Sequence, residues 1–138
     1  MKFLTTIFLI TLFFVAGNLT AQNSTITTTV VNITSNEGEI SYALYNKENF
    51  RMEAIQAKSS KIKEGKSVVV FNDVPVGEYA IICYHDENSN NKMDFQPNGM
   101  PIEDYGVSTN KMNRFGPPAF EDTKFMITDK DVSLEIKF

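Results

Sequence analysis

The sequence predicts one all-β domain, a single β-sandwich of about seven antiparallel strands in an immunoglobulin-like or transthyretin-like arrangement. Three observations carry this. Apolar and polar residues alternate with period two through most of residues 24–138, the spacing of a half-buried strand. The runs are rich in Val, Ile, Thr, Tyr and Phe, which suit a pleated surface. Short Gly-, Asn- and Asp-bearing corners separate them, and strands so spaced are the signature of a sandwich.

The elements follow in order. Ser24 to Ile33 and Glu39 to Tyr45 read as two strands joined at Asn36-Glu37-Gly38 into a hairpin. Asn46 to Met52 is the one weakly helical stretch, a turn or two that Phe50, Met52 and Ile55 would dock on the core. Ala54 to Ile62 is a polar strand whose lysines at 58 and 61 suit a sheet edge. After the turn Lys63-Glu64-Gly65-Lys66, the run Ser67 to Asn72 is a strong strand. Asp73-Val74-Pro75-Val76-Gly77 makes a corner, since proline fixes one backbone angle and glycine permits another. Glu78 to His85 is the most apolar run and so the central strand. Tyr79, following Gly77, has the placing of a corner tyrosine whose hydroxyl bonds nearby backbone. A long Asn-, Gly- and Pro-rich segment spans Asp86 to Glu121, and segments of that length tend to be functional. Thr123 to Ile127 and Val132 to Phe138 close the domain.

The amino-terminal residues are of another kind. Lys2 is the only charge before Glu37, Phe3 to Val15 is almost wholly apolar, and Leu19-Thr20-Ala21 precedes Gln22. A basic start, an apolar stretch of roughly 7–15 residues and a small residue at the cut define a secretory signal. The run is shorter than the about 20 residues of a spanning helix. Residues 1–21 are therefore read as a signal peptide and residues 22–138 as the domain, exported to the periplasm or beyond the cell, without a membrane anchor after cleavage.

Charge and cysteine content narrow the function. The formal charge of −4 becomes −5 once Lys2 is cut away. No Lys/Arg cluster is present, which argues against nucleic acid or anionic membrane as partner. The expected partner is an envelope or extracellular ligand. Cys83 is the single cysteine, so no internal disulfide forms. Its place in the apolar run predicts a buried, inert thiol. His85 shares its face in a strand, but two ligands do not make a zinc site.

Several of these residues together resemble a known family. Val74-Pro75-Val76-Gly77-Glu78-Tyr79, His85-Asp86-Glu87-Asn88, Gly99-Met100-Pro101, Tyr105-Gly106 and Phe115-Gly116-Pro117-Pro118-Ala119-Phe120-Glu121-Asp122, in that order, are similar to the exported bacterial family catalogued as domain of unknown function 2141. The resemblance covers nearly all of residues 22–138. It implies a β-sandwich, export and no established activity. Members of that family commonly carry Gly within the acidic loop, where this chain has Ser89 and Asn91.

That loop is the strongest chemical motif. Asp86, Asn88, Asn90 and Asp94 put oxygen-bearing side chains at loop positions one, three, five and nine, with Lys92 at seven. A calcium loop uses this alternation, with a backbone carbonyl at position seven. Calcium is the cofactor this spacing predicts, held by Asp86, Asn88, Asn90, Asp94 and the carbonyl of Lys92. Position twelve is Pro97, not the bidentate Glu of an EF-hand. A further ligand would come from Glu87, Glu103, Asp104, Glu121 or Asp122. The alternative is an Asn-rich loop that caps its own turns.

The aromatics Phe95, Tyr105, Phe115 and Phe120, beside Met100 and Met112, either pin the long segment to the sandwich or present a recognition surface. Pinning comes first, because an irregular segment must bury something to stay ordered. No nucleophile motif is present, and His85 and Asp86, adjacent on a strand, point to opposite faces. The chain is read as a non-enzymatic binding or structural module of the envelope. The alternative is a small hydrolase using carboxylates among Glu103, Asp104, Glu121 and Asp122 as acid and base.

Cleavage after Ala21 is expected. Mass spectrometry of protein recovered from the source cell should find Gln22 at the amino terminus, and an intact Met1 held in the membrane fraction would contradict it.

Overall fold

The structure, a computed structural model, describes residues 23–138; the expected signal peptide lies outside the described residues. Strands β1 (Ser24–Val31), β2 (Glu39–Tyr45), β3 (Gln56–Lys61), β4 (Ser67–Val74), β5 (Gly77–Asp86), β6 (Tyr105–Val107), β7 (Phe125–Ile127) and β8 (Val132–Lys137), with one helical turn α1 (Phe120–Thr123), make an all-β sandwich. One sheet has the order β4-β1-β8. The other has the order β3-β2-β5-β6, with β7 also on β5. Among the described residues no helix is long and apolar enough to cross a membrane.

Alternation builds the core. Ile26 and Val30 of β1, Val69 and Phe71 of β4 and Ile136 of β8 face Ile40, Tyr42 and Leu44 of β2 and Tyr79, Ile81 and Cys83 of β5. The residues between them point outward, as period two requires. With no disulfide, this apolar burial, worth roughly 25 cal/mol per Å² removed from water, is the main term holding the sheets together. Cys83 is fully buried, its Sγ 3.6 Å from the Gly106 carbonyl oxygen. Burial pushes the thiol well above its ordinary pKa, so it stays protonated.

Three expectations need correction. β1 and β2 are not a hairpin: β1 pairs with β4 and β8, and β2 with β3 and β5. Residues 32–38 carry the chain from one sheet to the other. The left-handed backbone of Asn32 and Gly38 turns it, and the Ile33 N–H bonds the Gly65 carbonyl. Crossing lets the apolar faces of β1 and β2 oppose each other, which a flat hairpin would forbid. Secondly, the strands number eight and are not all antiparallel. β8 runs parallel to β1, Ile26 opposite Val132 through Val31 opposite Lys137. Asp131 accepts the Thr25 N–H at 2.8 Å and Ser24 Oγ donates to the Thr128 carbonyl, which fixes β8 beside β1. Thirdly, Tyr79 is buried with its ring over Gly77, but its hydroxyl makes no hydrogen bond among the described residues. The packing of a corner is present without its polar tie.

Smaller points follow the sequence more closely. β3 is an edge strand. Residues 46–53 form turns, closed by Asn46 Oδ1 accepting the Glu48 and Asn49 N–H groups. Met52 and Ile55 remain exposed, and only Phe50 of that stretch packs, edge-on between Tyr45 and Phe120. The side chains of Gln56, Lys58 and Ser67 tie β3 to β4 where the sheets meet. Across the molecule, Asn110 bonds the Glu135 carbonyl and the Lys137 N–H of β8.

Among the described glycines, Gly38 leaves the least room for a side chain. A Cβ there would lie 2.0 Å from the Asp86 carbonyl oxygen, and its φ is +68°. Gly38→Ala should cost about 3 kcal/mol or more, combining left-handed strain with overpacking. Urea denaturation would measure it; a cost within experimental error of zero would show that the crossing loop moves freely.

Candidate functional site

The site grows from the end of β5. Asp86 is its last residue and is fully buried, and β2 covers it, with Glu39 opposite. A buried carboxylate must be bonded. Here Oδ1 accepts the Asn90 N–H at 3.0 Å and Oδ2 the Asn91 N–H at 2.8 Å. The chain therefore curls back on itself at once. The curl needs left-handed backbone at Ser89 (φ 57°) and Asn91 (φ 60°). Asn tolerates that region; Ser takes it at a cost.

The curl gathers the polar side chains. Asn88 Nδ2 donates to Asp94 Oδ2 at 2.7 Å, and Asn90 Nδ2 donates to the same oxygen at 2.8 Å. Asn88 Oδ1 accepts the Asn90 N–H, and Asn90 Oδ1 the Lys92 N–H. Of the expected site residues, Asn88, Asn90 and Asp94 thus meet at one point. Asp86 braces the loop from below through backbone bonds, and Lys92 joins through its main chain.

Glu103 is the added partner. Its Oε2 accepts the Asp94 N–H at 3.1 Å, while Oε1 is buried without a hydrogen-bond partner. Among the described residues no three Asp, Glu, His or Cys side chains lie close enough to hold a metal ion by themselves. The oxygens available here are a mixed set of carboxylates and amides. Burial chiefly holds the Tyr84 hydroxyl above its usual pKa; the Ser41 hydrogen bond offsets part of this, and the negative charges of Asp86, Glu103 and Asp94 add to it.

Beyond the loop, residues 94–102 fold into a small hairpin. The Ile102 N–H bonds the Asp94 carbonyl, the Gln96 N–H bonds the Met100 carbonyl, and Phe95 pairs with Pro101. An open cleft of about 360 Å³ lies beside it, lined by Glu87, Asn88, Asp94, Phe95, Ile102 and Glu103. Pinning fails for much of the aromatic set: Phe95, Met100, Met112 and Phe115 are exposed. Phe120 alone is buried, and Tyr105 is half-buried. Main-chain hydrogen bonds order residues 94–102 in place of apolar burial. Ile102 carried no signal in the sequence, because isolated apolar residues in loops are ordinary.

The other candidates have partners elsewhere. Glu121 pairs with Lys47 and Lys124, and Lys124 also with Glu78; these hydrogen bonds, the Lys124 one first, lower the Glu121 pKa. Asp122 is exposed on α1, and Asp104 is exposed beside β6. His85 Nε2 is 2.7 Å from the Glu37 carbonyl, so His85 and Cys83 each bond to backbone.

Fold and site together define a two-sheet β module with one structured Asn/Asp loop at the end of its central strand. The chain belongs to the family described as uncharacterized protein conserved in bacteria (DUF2141), whose model matches residues 28–135. No curated protein matches it. Among solved structures it is similar to a pilus-presented adhesin, Spy0125 (Cpa). Against a cysteine-to-alanine mutant the identity is 10% and the TM-score 0.31, over 87% of this chain and 28% of that one. Against a P212121 form they are 11% and 0.29, over 87% and 27%. The chain thus spans under a third of the adhesin's length.

Asp86→Ala should cost about 1–3 kcal/mol without any metal, since it removes the acceptor of two part-buried N–H groups, those of Asn90 and Asn91. Hydrogen exchange should then speed up at Asn90 and Asn91 first. Unchanged stability in chelator would mean that the carboxylate does not brace the loop.

Proposed function

We propose that the protein is an exported module of the bacterial envelope, without catalytic activity, whose Asp86–Asp94 loop binds one calcium ion. The observation that carries this reading is the convergence of Asn88 and Asn90 on a single oxygen of Asp94. Hydrogen-bonded oxygens and amides about 2.7–2.8 Å apart resemble the spacing of neighbouring ligands around an ion that takes six to eight oxygens at about 2.3–2.6 Å. Rotating each amide would turn its oxygen toward the ion, at the cost of the bonds that Asn88 Oδ1 and Asn90 Oδ1 accept from the Asn90 and Lys92 N–H groups. The Lys92 carbonyl serves position seven, and Glu103, with one unpaired oxygen, stands in for the missing acid at position twelve. Asp86 contributes through the curl it braces.

With few charges and an open site, affinity should be about 10⁻⁴–10⁻³ M, the range of extracellular modules. Calcium at ten times its Kd should stabilise the fold by about 1.4 kcal/mol, a rise of a few degrees in Tm. Magnesium should do much less, because it demands tighter octahedral geometry. Asp94→Ala should remove the difference between the two ions. If calorimetry finds no calcium binding at several millimolar, and melting is unchanged by chelator, the loop is a self-capped turn.

A further inference from the structure

The 94–102 hairpin turns on Pro97-Asn98-Gly99. The Gln96 N–H bonds the Met100 carbonyl, and the Gly99 N–H returns to the Gln96 carbonyl at 2.8 Å. Gly99 has φ +82°. A tight turn followed by one left-handed residue is the loop of a three-residue hairpin. The left-handed place selects glycine, and the turn before it suits proline and asparagine. Folding requirements therefore set Gly directly after Asn, and no other asparagine of the chain is followed by glycine.

That pair can react with itself. The Gly99 main-chain nitrogen closes a five-membered ring when it attacks Asn98 Cγ, and an attack within one molecule avoids the entropy of bringing two together. Both residues are exposed, and nothing lies within 4 Å of the position a Gly99 Cβ would take, so ring closure meets no wall. The Met100 N–H donates to Asn98 Oδ1 at 3.1 Å. Negative charge develops on that oxygen when Cγ becomes tetrahedral, and a donor so placed stabilises it. Asn98 Nδ2, the leaving group, makes no hydrogen bond among the described residues, whereas Asn88 and Asn90 have theirs tied to Asp94. One feature opposes the attack: the Gly99 N–H is held by Gln96, so the turn must open first. The hairpin buries little apolar surface, and segments of that kind open at low cost.

We propose that Asn98 and Gly99 form a self-modification site that unties this hairpin with age. The Gly99 nitrogen gives up its proton and bonds to Asn98 Cγ; the Cγ–Nδ2 bond breaks, and ammonia leaves with that proton. Water then opens the resulting succinimide. Cleavage between Cγ and the nitrogen leaves aspartate. Cleavage between the Asn98 main-chain carbon and the nitrogen leaves isoaspartate, whose main chain runs through Cβ and Cγ. Water is consumed, ammonia is released, and no atom changes oxidation state. Either product adds a negative charge. Isoaspartate also lengthens the main chain by an atom, so the loop no longer fits its three-residue turn. The site stands whether or not the neighbouring loop binds calcium.

Peptide mapping by mass spectrometry tests this on the purified protein, kept in warm neutral buffer beside a synthetic peptide of residues 94–102. Aspartate and isoaspartate should appear at position 98 before any other asparagine changes. The rate should lie within about tenfold of the peptide's, a barrier difference of no more than about 1.4 kcal/mol for opening the turn. Conversion should quicken as pH rises, because the attacking nitrogen must lose its proton. Asn98→Gln, which would need a larger ring, should stop it. In the isoaspartate form, hydrogen exchange at the Gln96 and Ile102 amides should speed up while that of β5 stays the same. An intact Asn98 after the peptide has fully converted overturns the proposal, as does earlier conversion at Asn88, which precedes Ser89. Aspartate without isoaspartate overturns the ring in favour of direct hydrolysis. Unaltered exchange at Ile102 in the isoaspartate form overturns the untying of the hairpin.

Discussion

Strand β5 is hydrogen-bonded along both edges, and the rest of the molecule depends on that. β2 runs along one side of it from Ala80 to Asp86. The other side is shared, β7 taking residues 77–79 and β6 residues 82–84. Its inner face supplies Tyr79, Ile81 and Cys83 to the core, and its last residue anchors the Asn/Asp loop. A strand so placed cannot shift register by one residue without exchanging its inner and outer faces. The loop is therefore held in position by the same pairing that holds the core, and Asp86 is as fixed as Ile81.

The long segment after β5 has two unlike halves. Residues 87–104 curl and fold back on their own backbone and side chains, burying little apolar surface. The ends of residues 108–123 are bound to the body of the protein: the buried Ser108 hydroxyl accepts the Ile81 N–H and donates to the Thr123 carbonyl, and Phe120 meets Phe50 edge-on. The first half presents polar side chains, and the second half is tied to the sheets at Ser108, Asn110 and Phe120.

Much of the fold was legible in the residues. Alternation placed the strands, the apolar run 79–84 marked the central one, and the polar Ala54–Ile62 run marked an edge. What pairs with what was less legible. Period two tells which side chains share a face, but it is silent on which sheet a strand joins, so β1 and β2 read as a hairpin when they oppose each other. The parallel β8 was hidden for the same reason, since Val132 to Lys137 alternates alike in either direction. At the site, spacing announced Asn88, Asn90 and Asp94, whereas Glu103 was one of five acids left open, and only the folding-back of residues 94–102 singles it out. Tyr79 shows a motif carrying its packing without its hydrogen bond: Gly77 leaves room for the ring, but no acceptor faces the hydroxyl.

The parallel pairing of β1 with β8 has a consequence for how the molecule comes to be folded. Residues near 26 must find residues near 132, almost the full span of the domain. Loop closure over such a distance is entropically costly, and proteins dominated by distant contacts fold slowly. While the final strand is still missing, as in a nascent or truncated chain, β1 has β4 on one side and an open row of N–H and C=O groups on the other. A half-made sheet of that kind favours chaperone capture and strand exchange. The β1–β4–β8 sheet is complete only when β8 docks, so that edge of β1 stays open until then.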